Sequence, residues 1–164
     1  MNVGAIFFTF TSILAATIAL WGIVSQRAIT RRRATLDHIV RMEADGNFIA
    51  ARRKFIELSK TPEGLAPWAS VDKEGTPEAQ NIRLVLNEFE IVSIGIQLGI
   101  LDFETYRRWF QSTVVRFWTH GAPYINALRA RIGHQALFHE FEELSRWMNE
   151  NKRPPRRYKW LRLR

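Results

Sequence analysis

Glu88 is the polar position most open to a chemical role. At 100° per residue, Leu84, Ile91, Val92 and Gly95 fall within about 60° of it, and Arg83, Asn87, Glu90, Ser93 and Gln97 fall on the far side. This spacing predicts Glu88 in the middle of a core stripe, as a buried polar residue. A carboxylate there either meets a cation or takes up a proton. Two chemistries fit: a catalytic or ligand-binding acid, or an internal ion pair with Arg107, Arg108 or Arg116 from a neighbouring helix. Ion pairs produce such positions as well as active sites do, and the pair is the favoured expectation.

No other set of residues suggests catalysis. His134 and His139 are five apart, on poorly matched helix faces, and neither belongs to an H-E-x-x-H pattern. His139 and Glu143 are four apart and read as a solvent-facing pair rather than metal ligands. The chain has no cysteine, which excludes disulfides, Cys-ligated zinc, iron-sulfur clusters and thiol catalysis. A Gly-rich phosphate loop and a G-x-S-x-G elbow are also missing. The expectation is a non-enzymatic chain with no metal and no cofactor.

Basic and aromatic residues interleave twice. In Tyr106-Arg107-Arg108-Trp109-Phe110 the spacing is helical, with Tyr106, Trp109 and Phe110 on the core stripe. In the tail, Arg156, Arg157, Tyr158, Lys159, Trp160, Arg162 and Arg164 follow Pro154-Pro155 and alternate with apolar residues. Such a tail can track single-stranded nucleic acid by charge and stacking. It can equally lie on anionic lipid with its rings at headgroup depth. Lipid is the favoured reading because of what stands at the other end of the chain.

Val3 to Val24 is an uncharged, mostly apolar run, and the first charged side chains after it are Arg27, Arg31, Arg32 and Arg33. As a helix it spans about 33 Å, against a hydrocarbon core of about 30 Å. Trp21 sits one turn before its end, at the depth of an interfacial aromatic. The basic residues all follow the run, which predicts a single pass with the N-terminus outside and the rest cytoplasmic. A cleaved signal peptide is the rival reading. It fits poorly, because no Lys or Arg precedes Arg27 and the run exceeds the usual apolar core of about 7 to 15 residues. Ala15 and Ala19 have the small-xxx-small spacing of paired anchors, a weak signal that leaves homo-oligomerisation open.

The charge balance supports a membrane before a nucleic acid. Of the net +8, the four arginines of 27–33 and the seven lysines and arginines of 152–164 carry +11, leaving 34–151 at −3 with 13 basic and 16 acidic residues. The body is mildly acidic. The expected partners are anionic lipid and an unidentified protein, with nucleic acid disfavoured.

Beyond the anchor the periodicity is helical throughout. Residues 27–44 either extend the anchor helix or open a new one, with Leu36, Ile39, Val40 and Glu43 along one stripe, until Asp45-Gly46-Asn47 breaks it. A helix over about 47–60 buries Phe48, Ala51, Phe55 and Leu58. Residues 61–76, with Pro62, Gly64, Pro67 and Gly75, form one long loop. Thr76, Pro77 and Glu78 then give a cap, a first helical position and a dipole-matched acid. That helix runs to about Leu98 and ends at Gly99; Gly95 and Gly99 share a face and suggest a tight crossing of helices. Its charge-free part, Ile91 to Leu101, is too short for a second membrane span. Asp102 caps a helix from about Phe103 to Thr119, His120-Gly121-Ala122-Pro123 stops it, and Pro123 opens another to about Ile132. The last helix covers roughly 134–149. The predicted organisation is a transmembrane anchor over 1–26, an all-α cytoplasmic bundle of about five helices over 27–151, and a basic aromatic tail over 152–164.

A set of packing motifs carries a family resemblance. Leu86-Asn87-Glu88-Phe89-Glu90, Gly95-Ile96 with Gly99-Ile100-Leu101-Asp102, Phe117-Trp118 with Pro123-Tyr124-Ile125, and Phe138-His139-Glu140-Phe141-Glu142-Glu143-Leu144 resemble an uncharacterised family of short bacterial and prophage-borne proteins. The likeness covers roughly residues 36–148. It implies one N-terminal membrane helix with a helical cytoplasmic domain, at a bacterial inner membrane, and makes Glu88 part of a recurrent core feature. It implies no activity. The function expected is an interaction or regulatory module on the cytoplasmic face, with prophage interference in a membrane process as its specific form. The alternatives are a membrane-tethered nucleic-acid binder acting through the tail, or an enzyme using Glu88.

Overall fold

The computed structural model describes residues 3–150, Lys152 and Pro154, without the side chains of residues 3–7 and Thr9. All regular structure among them is helical. Helix α1 runs unbroken over Val3–Ala44, about 63 Å, because no proline interrupts it and alanines and arginines continue the helix past the apolar run. From Phe10 to Val24 its side chains are exposed, and α1 is long and apolar enough to cross a membrane. Its second half joins the core through Thr35, Ile39 and Met42. The expected stripe was off by about one turn edge: Ile39 is buried, but Leu36 and Val40 face solvent.

Asp45 ends α1 and caps α2 (Gly46–Ser59), accepting from the N–H groups of Asn47 at 2.9 Å and Phe48 at 3.3 Å. Phe48, Ala51, Phe55 and Leu58 are buried as the spacing predicts. The supposed long loop contains two short 3₁₀ turns, Ala66–Ala69 and Val71–Lys73, with Leu65 and Ala69 in the core. Helix α3 spans Pro77–Gln97 behind the Thr76 cap, and α4 spans Phe103–Ile132 behind Asp102. Rings from four helices make the centre: Phe55 stacks on Phe117 at 5.0 Å, Phe117 meets Phe89 at 5.4 Å, and Phe89 stacks on Phe141 at 4.9 Å.

Helix α4 does not stop at His120-Gly121-Ala122-Pro123; it continues through Pro123. Gly121 is buried, and a Cβ there would stand 3.0 Å from Leu86 Cδ2 and 3.5 Å from Phe55 Cζ. The glycine is thus a contact point for α2 and α3, and this packing outweighs the one backbone bond that proline removes. Gly133, with φ +70°, ends the helix. Helix α5 begins at His139, later than expected, after Phe138 takes a left-handed φ of 56° with its ring buried.

The core face of α3 also differs from expectation. Ile82, Val85, Leu86, Phe89, Val92, Ser93 and Ile96 are buried, whereas Leu84 and Ile91 are exposed. The face is turned by about 100° from the one centred on Glu88, because α3 is apolar on both sides and hydropathy alone does not choose between them. Gly95 and Gly99 serve the chain reversal rather than a crossing of helices. Gly99 has φ +71°, its N–H bonds Ile96 O, the Ile100 N–H bonds Gly95 O, and Leu101 Cδ1 lies 3.0 Å from where a Gly95 Cβ would be.

Candidate functional site

The turn after α3 is fastened to α1. Thr35, fully buried, accepts at Oγ1 from the Asp102 N–H at 2.7 Å and donates to Arg31 O at 2.8 Å. Asp102 in turn accepts from the Thr105 N–H at 2.9 Å. This junction brings the start of α4 against the second half of α1 and leaves a groove of about 670 Å³ between them. Leu36, Ile39, Val40 and Trp109 give it apolar walls, with Arg32, Arg108, Glu43 and Glu104 at the polar positions. Trp109, expected on the core stripe with Tyr106 and Phe110, is instead 65% exposed; α4 turns Tyr106 and Phe110 inward and Trp109 to this groove. Apolar walls with charges of both signs suit binding rather than proton transfer.

Glu88 is half-buried at the boundary of the bundle, not in mid-core. Its partner is none of the three arginines. Glu88 Oε1 lies 3.0 Å from His38 Nε2 on α1, at ion-pair distance but without the alignment of a hydrogen bond. Arg107 pairs with Glu104 at 3.0 Å, Arg116 lies over the Phe117 ring, and Arg108 lines the groove. Close by, Glu43 holds Arg52 at 2.8 Å, and Arg52 also covers the Phe48 and Phe117 rings. Tyr106 is wholly buried beside these groups with no hydrogen-bond partner for its hydroxyl. Burial pushes its pKa far above the usual range, the carboxylates of Glu88 and Glu43 add to this, and Arg52 opposes it. Tyr106 therefore stays protonated and offers no nucleophile.

Two polar devices were not foreseen. Glu90 reaches from α3 to the start of α5, accepting from the Phe141 N–H at 2.7 Å and the Glu140 N–H at 3.4 Å, where Phe138 supplies no side-chain cap. Ser93 and Gln97, one and two turns on, bond Glu140 through its carbonyl and its carboxylate. Arg129, buried near the end of α4, donates from Nε to Leu137 O and from Nη2 to Glu142 Oε2, both at 2.9 Å. The signal for the first was the row Glu90, Ser93, Gln97 at helical spacing, which reads as a solvent face until α5 is laid on it. For Thr35 the signal was its spacing with Ile39 and Met42.

Of the residues expected to flank a membrane span, Trp21, Arg27, Arg32 and Arg33 are exposed and Arg31 is half-buried. The tail residues Arg156, Arg157, Tyr158, Lys159, Trp160, Arg162 and Arg164 lie outside the described residues. The model of a family described as a domain of unknown function, DUF4760, matches residues 9–147. The chain belongs to the DUF4760 family. No curated protein and no solved structure matches it. The DUF4760 match opens inside the apolar half of α1 and closes in α5, so it begins well before the 36–148 that the packing motifs suggested and ends at nearly the same place. The family unit takes in the long helix together with the bundle.

Proposed function

We propose that this chain is a single-pass, non-enzymatic interaction module that holds its helical bundle at the cytoplasmic face of a bacterial inner membrane and there recruits or regulates a protein partner. The observation that carries the reading is the division of α1: one continuous helix, apolar in its first half and exposed there from Phe10 to Val24, locked into the bundle by Thr35, Ile39 and Met42 in its second. A helix so divided fixes the bundle's height and rotation relative to the bilayer. The exposed Arg27, Arg32 and Arg33 between the halves suit anionic headgroups, each worth about 1 kcal/mol near the surface. Prophage interference with an envelope process is the specific form of the reading, supported by the resemblance in the packing motifs.

The test uses the absence of native cysteine. In intact cells a membrane-impermeant maleimide should label an Asn2→Cys variant at once and a Glu63→Cys variant only after the inner membrane is opened, with both variants retained in alkaline-washed membranes. The opposite labelling order overturns the topology, and release by alkaline washing overturns the anchor. Partner recruitment is read by co-purification from native membranes; recovery of RNA or DNA that is lost on deleting 152–164 would favour nucleic-acid binding instead.

A further inference from the structure

Helix α3 carries a second apolar face that the fold does not use. Leu84, Ile91, Ile94 and Leu98 are 42%, 60%, 41% and 64% exposed, and Asn87 between them is exposed as well. Positions 84, 87, 91, 94 and 98 alternate steps of three and four, which is the spacing of the inward seam of a two-stranded coiled coil. The seam is about 21 Å long. An ordinary surface helix shows one apolar stripe, and α3 shows two.

We propose that this face pairs with α3 of a second copy of the chain, in parallel and in register. Three features select a second copy and that orientation. With Leu84, Ile91 and Leu98 at the first seam position and Asn87 and Ile94 at the second, Arg83 and Glu88 stand on opposite flanks of the seam, five residues apart. Those are the flanking positions that meet across a parallel coiled coil, so Arg83 of each copy faces Glu88 of the other. At present Arg83 pairs with Glu74 at 3.5 Å and Glu88 with His38 at 3.0 Å, both partly exposed at the edge of the seam.

Asn87 is the second feature. A lone polar residue within an apolar seam fixes register, because only the in-register pairing sets one asparagine amide against the other. The third is the shared bilayer, and it rests on the membrane reading above. Glu88 lies against His38, and Asp102, past the end of α3, lies against Thr35, so α3 and the turn after it are held at the level of the second half of α1. Two copies held in one bilayer by α1 are related by an axis along the membrane normal, and equal positions of their α3 helices stand at equal heights.

The experiment places single cysteines in the full-length, otherwise cysteine-free chain in native membranes and oxidises them. Leu84→Cys, Ile91→Cys and Leu98→Cys should each shift the chain to a disulfide-linked dimer, whereas Ile49→Cys, exposed on α2, should not. Cross-linking at Ile91→Cys alone marks an antiparallel contact and overturns the proposal, as does a failure of all three. The detergent-solubilised chain should have the mass of a dimer by light scattering, halved by Ile91→Glu with Ile94→Glu. Since both side chains are exposed, the helical content of that variant should persist; an unchanged mass overturns the pairing. The two readings fail separately. Dimers from a chain released by alkaline washing would remove the anchor and keep the pairing, and an embedded chain without dimers would do the reverse.

Discussion

Glu90 does for α5 what Asp45, Thr76 and Asp102 do for their own helices, but it acts from a different helix and with a carboxylate half out of water. Burial raises its pKa above the ordinary carboxylate value, and the bonds from the Phe141 and Glu140 N–H groups pull it part of the way back. Glu90→Ala should lower stability by about 1–2 kcal/mol, the usual size of a lost helix cap. Glu90→Gln keeps an oxygen acceptor and should cost less. The two changes also separate capping from charge. Between the ordinary value and the raised folded value, the folded state holds a proton that the unfolded chain has lost, so this group's contribution falls as pH rises through that window. Relative to Glu90→Gln, the natural chain should therefore gain stability as pH is lowered from neutrality through the folded pKa. Thermal melts of both proteins in detergent across that range check the sign. A difference that stays flat with pH would show that the Glu90 carboxylate titrates alike in both states.

At the scale of elements, the junction of α1 with the start of α4 depends on one hydroxyl. Thr35→Val keeps shape but leaves the Asp102 N–H without its acceptor, which costs about 1–3 kcal/mol for a buried donor. Thr35→Ser should restore most of this, and melting temperatures of the three proteins give the ranking. Local signals of this kind were partly legible in the sequence. Thr76, Pro77, Asp102 and Gly99 act within three or four residues, and each stands at the helix end it predicts. What the sequence hid depends on partners far along the chain. Pro123 reads as a stop until Leu86 and Phe55 close on Gly121, and Ser93 reads as surface until Glu140 reaches it, 47 residues away. The same holds for the candidate site: the spacing placed Glu88 in mid-core beside an arginine of α4, whereas it lies at the boundary of the bundle against His38, far back along the chain on the second half of α1. Trp109 was lost for a simpler reason, since a stripe of three aromatics at helical spacing is wider than the core that receives it.

For the whole molecule, the apolar segment and the helical bundle share one element at their join. The predicted boundary after residue 26 falls inside α1, and the family match likewise runs across it without a break. The second half of α1 supplies Ile39 and Met42 to the core and, through Thr35, holds the turn that opens α4. Each of the two apolar side chains contributes about 1.5–3 kcal/mol when fully buried. Lost together with the Thr35 bond, they amount to much of the 5–15 kcal/mol that holds a domain of this size. A fragment of residues 27–164 keeps all three groups and should melt cooperatively. A fragment of residues 45–164 keeps every cap from Asp45 onward but loses them, and should melt far lower or fail to fold. Differential scanning calorimetry of the two fragments decides the point: equal melting temperatures would mean that the bundle is complete without α1, which would then be a tether and no more.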